Sequence, residues 1–288
     1  MRVGFIGLGR MGAPMAARIA AAGHHVLGYD ISDERRRQIG PGITVADNPA
    51  MVAADVDVVV TSLQGPAEVA DVVHGANGLL TSIRPAAVLV ETSTISPQQS
   101  RTLASDLAAR NVSYLDAPIS GGAVGARDGT LIAMVGGEAQ VIDLVRPVLC
   151  CFAKEIFHLG PVGAGNVMKL VIQAIFLSQM AGFLEAVSMG ERSGIALDTL
   201  LRIVAASSAH HPAIGTRYEK LRCEDLNPLF EVGSAVKDLS LAQDLWRELE
   251  GSYSILSSAL ADYRGAAQSG LAAADLIAVR SWLNASEL

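Results

Sequence analysis

Three glycines near the start of the chain have the spacing of a phosphate-binding turn. Gly7, Gly9 and Gly12 form G-x-G-x-x-G, preceded by the apolar run Val3 to Ile6 and followed by a helical pattern. Such a turn lets a pyrophosphate approach the backbone and presents the amides at the helix start to the anion. Asp30 ends the next apolar run, where an acidic group can accept hydrogen bonds from an adenosine ribose. Together these features predict a dinucleotide site, whereas the glycines alone would also suit a structural bend.

A second group suited to anions is the run Ser120, Gly121 and Gly122. The serine supplies a hydroxyl, and the glycines supply backbone N–H groups that no side chain shields, so the run is able to hold a carboxylate. The alternative is a glycine-rich loop in which the serine only caps a turn.

Lys169 is a candidate for proton transfer. It lies in an otherwise apolar helical pattern, and Gln173 follows four residues later on the same helical face. If the lysine is buried, loss of solvation lowers the pKa of its amine and suits it to exchange a proton near neutrality. If it reaches solvent, it is an ordinary snorkelling side chain.

The histidines do not indicate a metal site. His24 and His25 are adjacent, as are His210 and His211, and neither pair has the i, i+4 spacing of two zinc ligands on a helix. We therefore predict no metal. The second pair falls in a predicted loop that is either solvated or lines a substrate cleft.

Composition limits the protein class. The 288 residues are enough for one large or two ordinary domains, and a hydrophobic content of 50% suits a soluble protein with a large core and a subunit interface. We expect a homodimer or homotetramer. The net charge of −7 gives no indication of a nucleic-acid partner.

The cysteines and the apolar segments indicate a cytoplasmic location. Cys150, Cys151 and Cys223 form neither C-x-x-C nor an even disulfide set, which favours a reducing compartment. The start "MRVGFIGLG" lacks the pattern of a signal peptide. The most apolar later stretch is interrupted by Gln173 and Glu185, among others, so we predict a buried helix and no membrane partner.

The two halves of the chain have different predicted secondary structure. The first half alternates strands and helices, with later strands predicted at Val56–Thr61, Ala87–Glu91, Ser113–Asp116, Leu131–Val135 and Glu155–His158. This alternation predicts an α/β fold, a Rossmann-type doubly wound parallel sheet. From Gly163 onward only helices are predicted: Gly165–Arg192, Asp198–Ala206, Ala213–Leu221, Phe230–Glu250, Tyr253–Gln268 and Asp275–Leu283. We predict a dinucleotide-binding domain over 1–162 and an all-helical substrate and dimerisation domain over 163–288.

Five segments resemble the motifs of one enzyme family. They are "GLGRMGAPMA" from Gly7, "ETSTISP" from Glu91, "DAPISGGAVGARDGTLIAMVGG" from Asp116, "GPVGAGNVMKLVIQ" from Gly160 and "KDLSLA" from Lys237. In this order, over nearly the whole chain, they resemble the β-hydroxyacid dehydrogenase family, which includes 3-hydroxyisobutyrate dehydrogenases and tartronate semialdehyde reductases.

The resemblance implies reversible hydride transfer between a nicotinamide cofactor and a small β-hydroxy acid or its semialdehyde, bound between the two domains. It implies that Lys169 is the catalytic acid and base. The substrate-binding residues that follow from it are Ser120, Gly121, Gly122, Gln173 and Lys237. The expected cofactor-binding residues are Gly7, Leu8, Gly9, Arg10, Met11, Gly12, Asp30, Leu63, Thr94 and Lys237.

Three positions, Gln173, Thr94 and Asp238, are not explained by the resemblance alone. The family commonly has asparagine where this chain has Gln173, and the longer side chain shifts the substrate or the lysine. Thr94 either bonds the nicotinamide ribose or is an N-cap before Pro97. Asp238, next to Lys237, is interpreted only as a helix-surface or ion-pair residue, not as a site residue.

The expected cofactor is NAD, with NADP as the alternative. Asp30 would repel a 2′-phosphate and is followed by Ile31 instead of a phosphate-binding arginine, although Arg35, Arg36 and Arg37 lie close in sequence. Two other functions remain open from the sequence. An imine reductase generally has another residue at the lysine position, and a non-catalytic NAD(P)-binding sensor needs neither the lysine nor the carboxylate loop.

Overall fold

A computed structural model describes residues 1–252 and 254–285. The chain divides into two compact units, Met1–Lys169 and Leu170–Leu288. The predicted boundary between residues 162 and 163 stays a prediction. Tyr253, where one predicted helix begins, and the last three residues of the predicted second domain lie outside the described residues.

The first unit is built on a single sheet. Its described strands are β1 (Arg2–Ile6), β2 (His25–Tyr29), β3 (Ile43–Val45), β4 (Val58–Thr61), β5 (Val88–Glu91), β6 (Ser113–Asp116), β7 (Ile119–Ser120), β8 (Leu131–Gly136) and β9 (Ala153–Gly160). Their order is β3-β2-β1-β4-β5-β6-β8-β7, with β9 also paired to β8. All neighbours are parallel except that β8 runs antiparallel to β6 and β7. Strands β1 to β6 thus have the doubly wound order, in which ligands bind at the carboxyl ends of the strands.

Helices cover both faces of this sheet. They are α1 (Gly12–Ala21), α2 (Asp33–Arg37), α3 (Pro49–Ala53), α4 (Pro66–His74), α5 (Pro97–Ala108), α6 (Gly122–Asp128) and α7 (Ala139–Leu149), with a short 3₁₀ turn at Leu79–Thr81. Alternate strand residues face opposite sides, so Val58 and Val60 pack in the core with α1 and α7, while Val59 packs in the core with α3, α4 and α5. Burial on both faces explains the continuous apolar runs of β4 and β5.

The second unit is helical. Helix α8 (Ala164–Arg192) begins in the first unit and continues into the second, followed by α9 (Leu197–Ala206), α10 (Pro212–Gly215), α11 (Tyr218–Cys223), α12 (Val232–Glu248), α13 (Ile255–Ala266), a π-helical turn (Ala267–Leu271) and α14 (Ala278–Ala285). Tyr263 is fully buried in its core and donates a hydrogen bond of 2.9 Å to the carbonyl of Leu177. This architecture confirms the predicted fold class.

Two details differ from the sequence-based picture. The predicted helix Ala213–Leu221 is two helices, α10 and α11, which are separated by Thr216 and Arg217. The sequence also does not predict β3 and β7, which have only three and two residues.

Helix α8 has the length and apolar composition of a membrane span, with a mean hydropathy of 1.7 in its most apolar window. Gln173 and Glu185 therefore do not exclude a span by composition, contrary to the prediction. However, Leu177, Met180 and Leu184 of this helix lie fully buried in the core of the second unit. We interpret α8 as a core helix.

Candidate functional site

The glycine turn after β1 has a geometry that requires glycine. Gly7 has a φ of 93°, in the left-handed region, and its N–H donates 2.9 Å to the carbonyl of Tyr29. A Cβ at Gly7 would collide with the backbone carbonyl of Ser62, and one at Gly12 would collide with the carbonyl of Gly7. These two glycines therefore let the turn and α1 pack tightly against the sheet.

Gly9 differs because a Cβ there would contact the flexible Arg35 side chain instead of backbone atoms. A Cβ there would meet nothing closer than Arg35 Nη1, 3.5 Å away. Arg10 is exposed and Met11 half-buried in the turn just before α1, whose first N–H groups have no carbonyl partners within the helix. The open backbone beside a helix start fits a bound pyrophosphate, so the turn suits a dinucleotide.

Asp30 lies at the carboxyl end of β2, with only 4% of its surface exposed. Its Oδ2 accepts the Leu8 N–H at 2.7 Å, and its Oδ1 accepts the Ser32 N–H at 2.9 Å. Leu8 therefore uses its amide to hold Asp30. Arg35 Nη1 lies 3.5 Å from Asp30 Oδ2.

The loops after β4 and β5 complete this edge of the sheet. The Leu63 N–H donates 2.7 Å to Ser93 Oγ, and the Leu63 side chain approaches the Cβ position of Gly7. Thr94 is buried in the loop after β5. Ser96 caps α5 by accepting the Gln99 N–H at 3.0 Å, so the interpretation of Thr94 as the N-cap is wrong.

Ser120 ends the short strand β7, and the chain then turns through two glycines with positive φ. Gly121 has a φ of 133° and Gly122 a φ of 65°, both unfavourable for other residues. A Cβ on Gly121 would also crowd Leu131 Cδ2 at 3.0 Å. The loop therefore has a defined backbone path that places the Ser120 hydroxyl and the N–H groups of both glycines in one short segment.

Lys169 lies beside this loop. Its side chain is half-buried, and Nζ donates a hydrogen bond of 2.9 Å to the carbonyl of Ile119, the residue before Ser120. Lys169 and Ile119 are 50 residues apart in the chain, so folding brings this primary amine to the residue directly before Ser120.

A buried polar network positions the start of α8. The fully buried carboxylate of Asp116 accepts the Gly163 N–H at 2.7 Å and the Asn166 N–H at 2.9 Å. The Asn166 side chain accepts the Ile95 N–H at 3.2 Å and donates to Ser100 Oγ at 3.1 Å. Asn166 thus connects the loop that carries Thr94 to the helical turn that precedes Lys169.

Burial raises the pKa of Asp116, and the backbone N–H bonds at its oxygens only partly oppose that effect. Sequence reasoning did not single out Asp116 and Asn166 as site residues. The signal in the sequence is an acid at the end of the strand "SYLD" and an asparagine one turn before Lys169, both within the motif segments.

A second polar group lies within the helical unit. Gln173 is buried, and its Nε2 donates to Asp238 Oδ2 at 2.5 Å. Lys237 Nζ lies 2.8 Å from Asp238 Oδ1. Asp238 is also buried, which corrects its interpretation as a helix-surface residue, and it joins the two residues that the resemblance assigns to the substrate.

The histidine pair of the second unit borders a separate cavity. His210 is exposed and His211 half-buried, and both line this cavity together with Phe183, Leu200 and Ile214. Within residues 1–252 and 254–285, no group of three or more His, Cys, Asp and Glu side chains is placed to hold a metal ion.

Comparison with known proteins assigns this arrangement to a family. Residues 2–160 match the NAD-binding domain of 6-phosphogluconate dehydrogenase, and residues 163–283 match the NAD-binding part of NADP-dependent 3-hydroxyisobutyrate dehydrogenase. The 2-(hydroxymethyl)glutarate dehydrogenase of Eubacterium barkeri is 32% identical over 97% of this chain and 93% of its own length.

Solved structures agree. A 3-hydroxyisobutyrate dehydrogenase from Salmonella typhimurium superposes with a TM-score of 0.91 at 28% identity, covering 98% of this chain and 99% of that one. An imine reductase from Myxococcus stipitatus shares the fold alone, at 16% identity and a TM-score of 0.68 over 98% of this chain and all of its own. The chain therefore belongs to the β-hydroxyacid dehydrogenase family and is an oxidoreductase that acts on the CH–OH group of a small hydroxy acid with NAD, or alternatively NADP, as its cofactor.

Proposed function

We propose that the chain oxidises a small β-hydroxy acid to its semialdehyde, reversibly, with Lys169 as the acid and base. The observation that carries this proposal is the hydrogen bond of 2.9 Å from Lys169 Nζ to the Ile119 carbonyl. It puts a primary amine directly beside the Ser-Gly-Gly loop. A proton-transfer group next to a carboxylate-binding loop is what a dehydrogenase of hydroxy acids needs.

The glycine turn is proposed to hold the cofactor. The backbone around Gly9, Arg10 and Met11 would receive the pyrophosphate, Gly7 and Gly12 would shape the turn, and Asp30, held by the Leu8 amide, would accept the adenosine ribose hydroxyls. Leu63 and Thr94 are proposed to contact the nicotinamide half. The cofactor, when bound, supplies the nicotinamide carbon that takes the hydride in oxidation and returns it in reduction.

The substrate carboxylate is proposed to accept hydrogen bonds from the Ser120 hydroxyl and the N–H groups of Gly121 and Gly122. This contact orients the carbinol carbon. In oxidation, the neutral Lys169 amine takes the hydroxyl proton as the C–H bond breaks with its electron pair, and a C=O bond forms. In reduction, the ammonium returns that proton to the carbonyl oxygen.

Gln173 and Lys237 are proposed as further substrate-binding residues, and Lys237 also as a cofactor contact, because of the family resemblance. Asp238 supports this assignment, since it holds both side chains through one buried carboxylate. The longer Gln173 reaches Asp238 at 2.5 Å, which orients its amide.

We propose a dinucleotide-binding domain over 1–162, a substrate and dimerisation domain over 163–288, a homodimer or homotetramer, and a cytoplasmic location. The partner proposed for the active site is a small carboxylate, and we propose no bound metal.

A panel of substrates with both cofactors tests the function. We would incubate 3-hydroxyisobutyrate, glycerate, serine, 4-hydroxybutyrate and 2-(hydroxymethyl)glutarate with NAD or NADP, and follow absorbance of the reduced nicotinamide. Turnover of at least one hydroxy acid is expected. Cofactor binding with no turnover would instead indicate a sensor, and reduction of a cyclic imine alone would indicate an imine reductase.

A further inference from the structure

The three arginines of α2 have different surroundings. Arg36 donates to the backbone carbonyl of Asp30, pairs with Asp33, and lies 5.4 Å from the centre of the Tyr29 ring. Arg37 is exposed. Of the three, Arg35 is the one whose guanidinium lies beside both the carboxylate of Asp30 and the glycine turn.

The position of Arg35 changes the electrostatics at the end of β2. Its Nη1 is 3.5 Å from Asp30 Oδ2 and also 3.5 Å from the position that a Cβ of Gly9 would take. The carboxylate of Asp30 is already bound by two backbone N–H groups. An anionic group that approaches the adenosine ribose position would therefore meet a compensated ion pair, not an isolated negative charge.

We propose that Arg35 is a specificity-determining residue that receives the 2′-phosphate of NADP, so that this chain uses NADP as well as NAD. A guanidinium binds phosphate through charge-assisted, often bidentate hydrogen bonds. Its side chain is 52% exposed, so it can turn from the carboxylate to a phosphate without repacking the core. Asp30 remains able to accept the ribose hydroxyls of NAD, which keeps NAD the preferred cofactor. The inference rests on the proposed placement of the cofactor on the glycine turn.

The dissociation constants of NADH and NADPH test this proposal. They are measured with the full chain, without substrate, from the change in nicotinamide fluorescence on binding. Arg35→Gln should weaken NADPH binding about tenfold, the effect of one lost charge-assisted hydrogen bond, and change NADH binding less than about twofold. Arg37→Gln is the matched control on the same short helix and should leave both affinities unchanged.

A second pair of variants separates Arg35 from Asp30. Asp30→Asn should strengthen NADPH binding in the wild-type background, and much less in the Arg35→Gln background, because the phosphate then lacks its guanidinium. Equal losses for both cofactors in Arg35→Gln, or no loss for either, would overturn the proposal. Because substrate is absent, failure of the hydroxy acid panel would not affect this result.

Discussion

Replacing Lys169 with alanine tests the chemical step most directly. The amine lies on α8, whose first turn is held by Asp116 and Asn166, and it donates a hydrogen bond to the carbonyl of Ile119. Truncation to alanine leaves that capping network in place and favours the helix. The fold should therefore survive while the proton-transfer group disappears.

The size of the effect follows from the role of the amine. Loss of a positioned acid or base lowers kcat by about 10² to 10⁴, which corresponds to about 2.7 to 5.5 kcal/mol of activation free energy. The lost hydrogen bond to the Ile119 carbonyl lowers the free energy of unfolding by about 0.5 to 1.5 kcal/mol. Activity should thus fall far more than stability.

The assay is hydroxy acid oxidation as a function of pH, alongside the dissociation constant of NADH. The wild-type rate should rise with pH as the ammonium loses its proton, and the variant should lose this limb while binding NADH normally. Lys169→Arg retains the positive charge but cannot deprotonate in this range, so it should lose activity as well. Lys154→Ala, at an exposed lysine of β9, is the matched control and should keep wild-type activity.

A folded Lys169→Ala variant with wild-type kcat and an unchanged pH profile would refute the assignment. Wild-type activity in Lys169→Arg would show that the position needs charge and not proton transfer.

Three further variants test the surrounding groups. Ser120→Ala should weaken substrate binding by about 1 to 3 kcal/mol and leave NADH affinity intact, because it removes one donor to a desolvated carboxylate. Gln173→Asn is one methylene too short for the contact with Asp238, so the free energy of unfolding should fall by about 1 to 3 kcal/mol and kcat/KM should change between substrates. Burial raises the pKa of Asp116 in the folded state above the unfolded value of 3.8. The protonated carboxyl therefore stabilises the fold fully at a pH below the unfolded pKa, and this contribution declines as the pH rises through the folded-state pKa. The free energy of unfolding of the wild type minus that of Asp116→Asn should therefore decrease over that interval in urea titrations.

Each of these has a matched comparison. An unchanged substrate KM in Ser120→Ala would make the serine a turn residue only. Gln179→Asn, at an exposed position of α8, should leave the free energy of unfolding unchanged. An equal loss of stability in this variant would show that the loss in Gln173→Asn does not come from the contact with Asp238. Asp143→Asn, at an exposed acid of α7, is the comparison for burial, and a pH dependence of stability that is the same in both variants would contradict the burial argument.

The sequence by itself determined the features that depend on neighbouring residues. The glycine spacing of the first turn, the acid at the end of β2 and the alternation of strands and helices are local patterns, and they predict the doubly wound sheet without any long-range information. The change to helical periodicity likewise predicts the second, helical unit. Motif order then indicates the family, since the segments extend from Gly7 to Ala242.

Tertiary structure decided which groups meet across the chain. Asp116 binds the N–H groups of Gly163 and Asn166, which are 47 and 50 residues away in the chain and lie at the start of α8. Gln173 binds Asp238, which is 65 residues away. Arg35 was one of three equivalent arginines in the sequence, and only packing places it beside Gly9. Sequence periodicity specifies which face of a helix is buried, but the partner of a buried polar group depends on how the elements pack, and that is where burial, hydrogen bonding and charge compensation are determined.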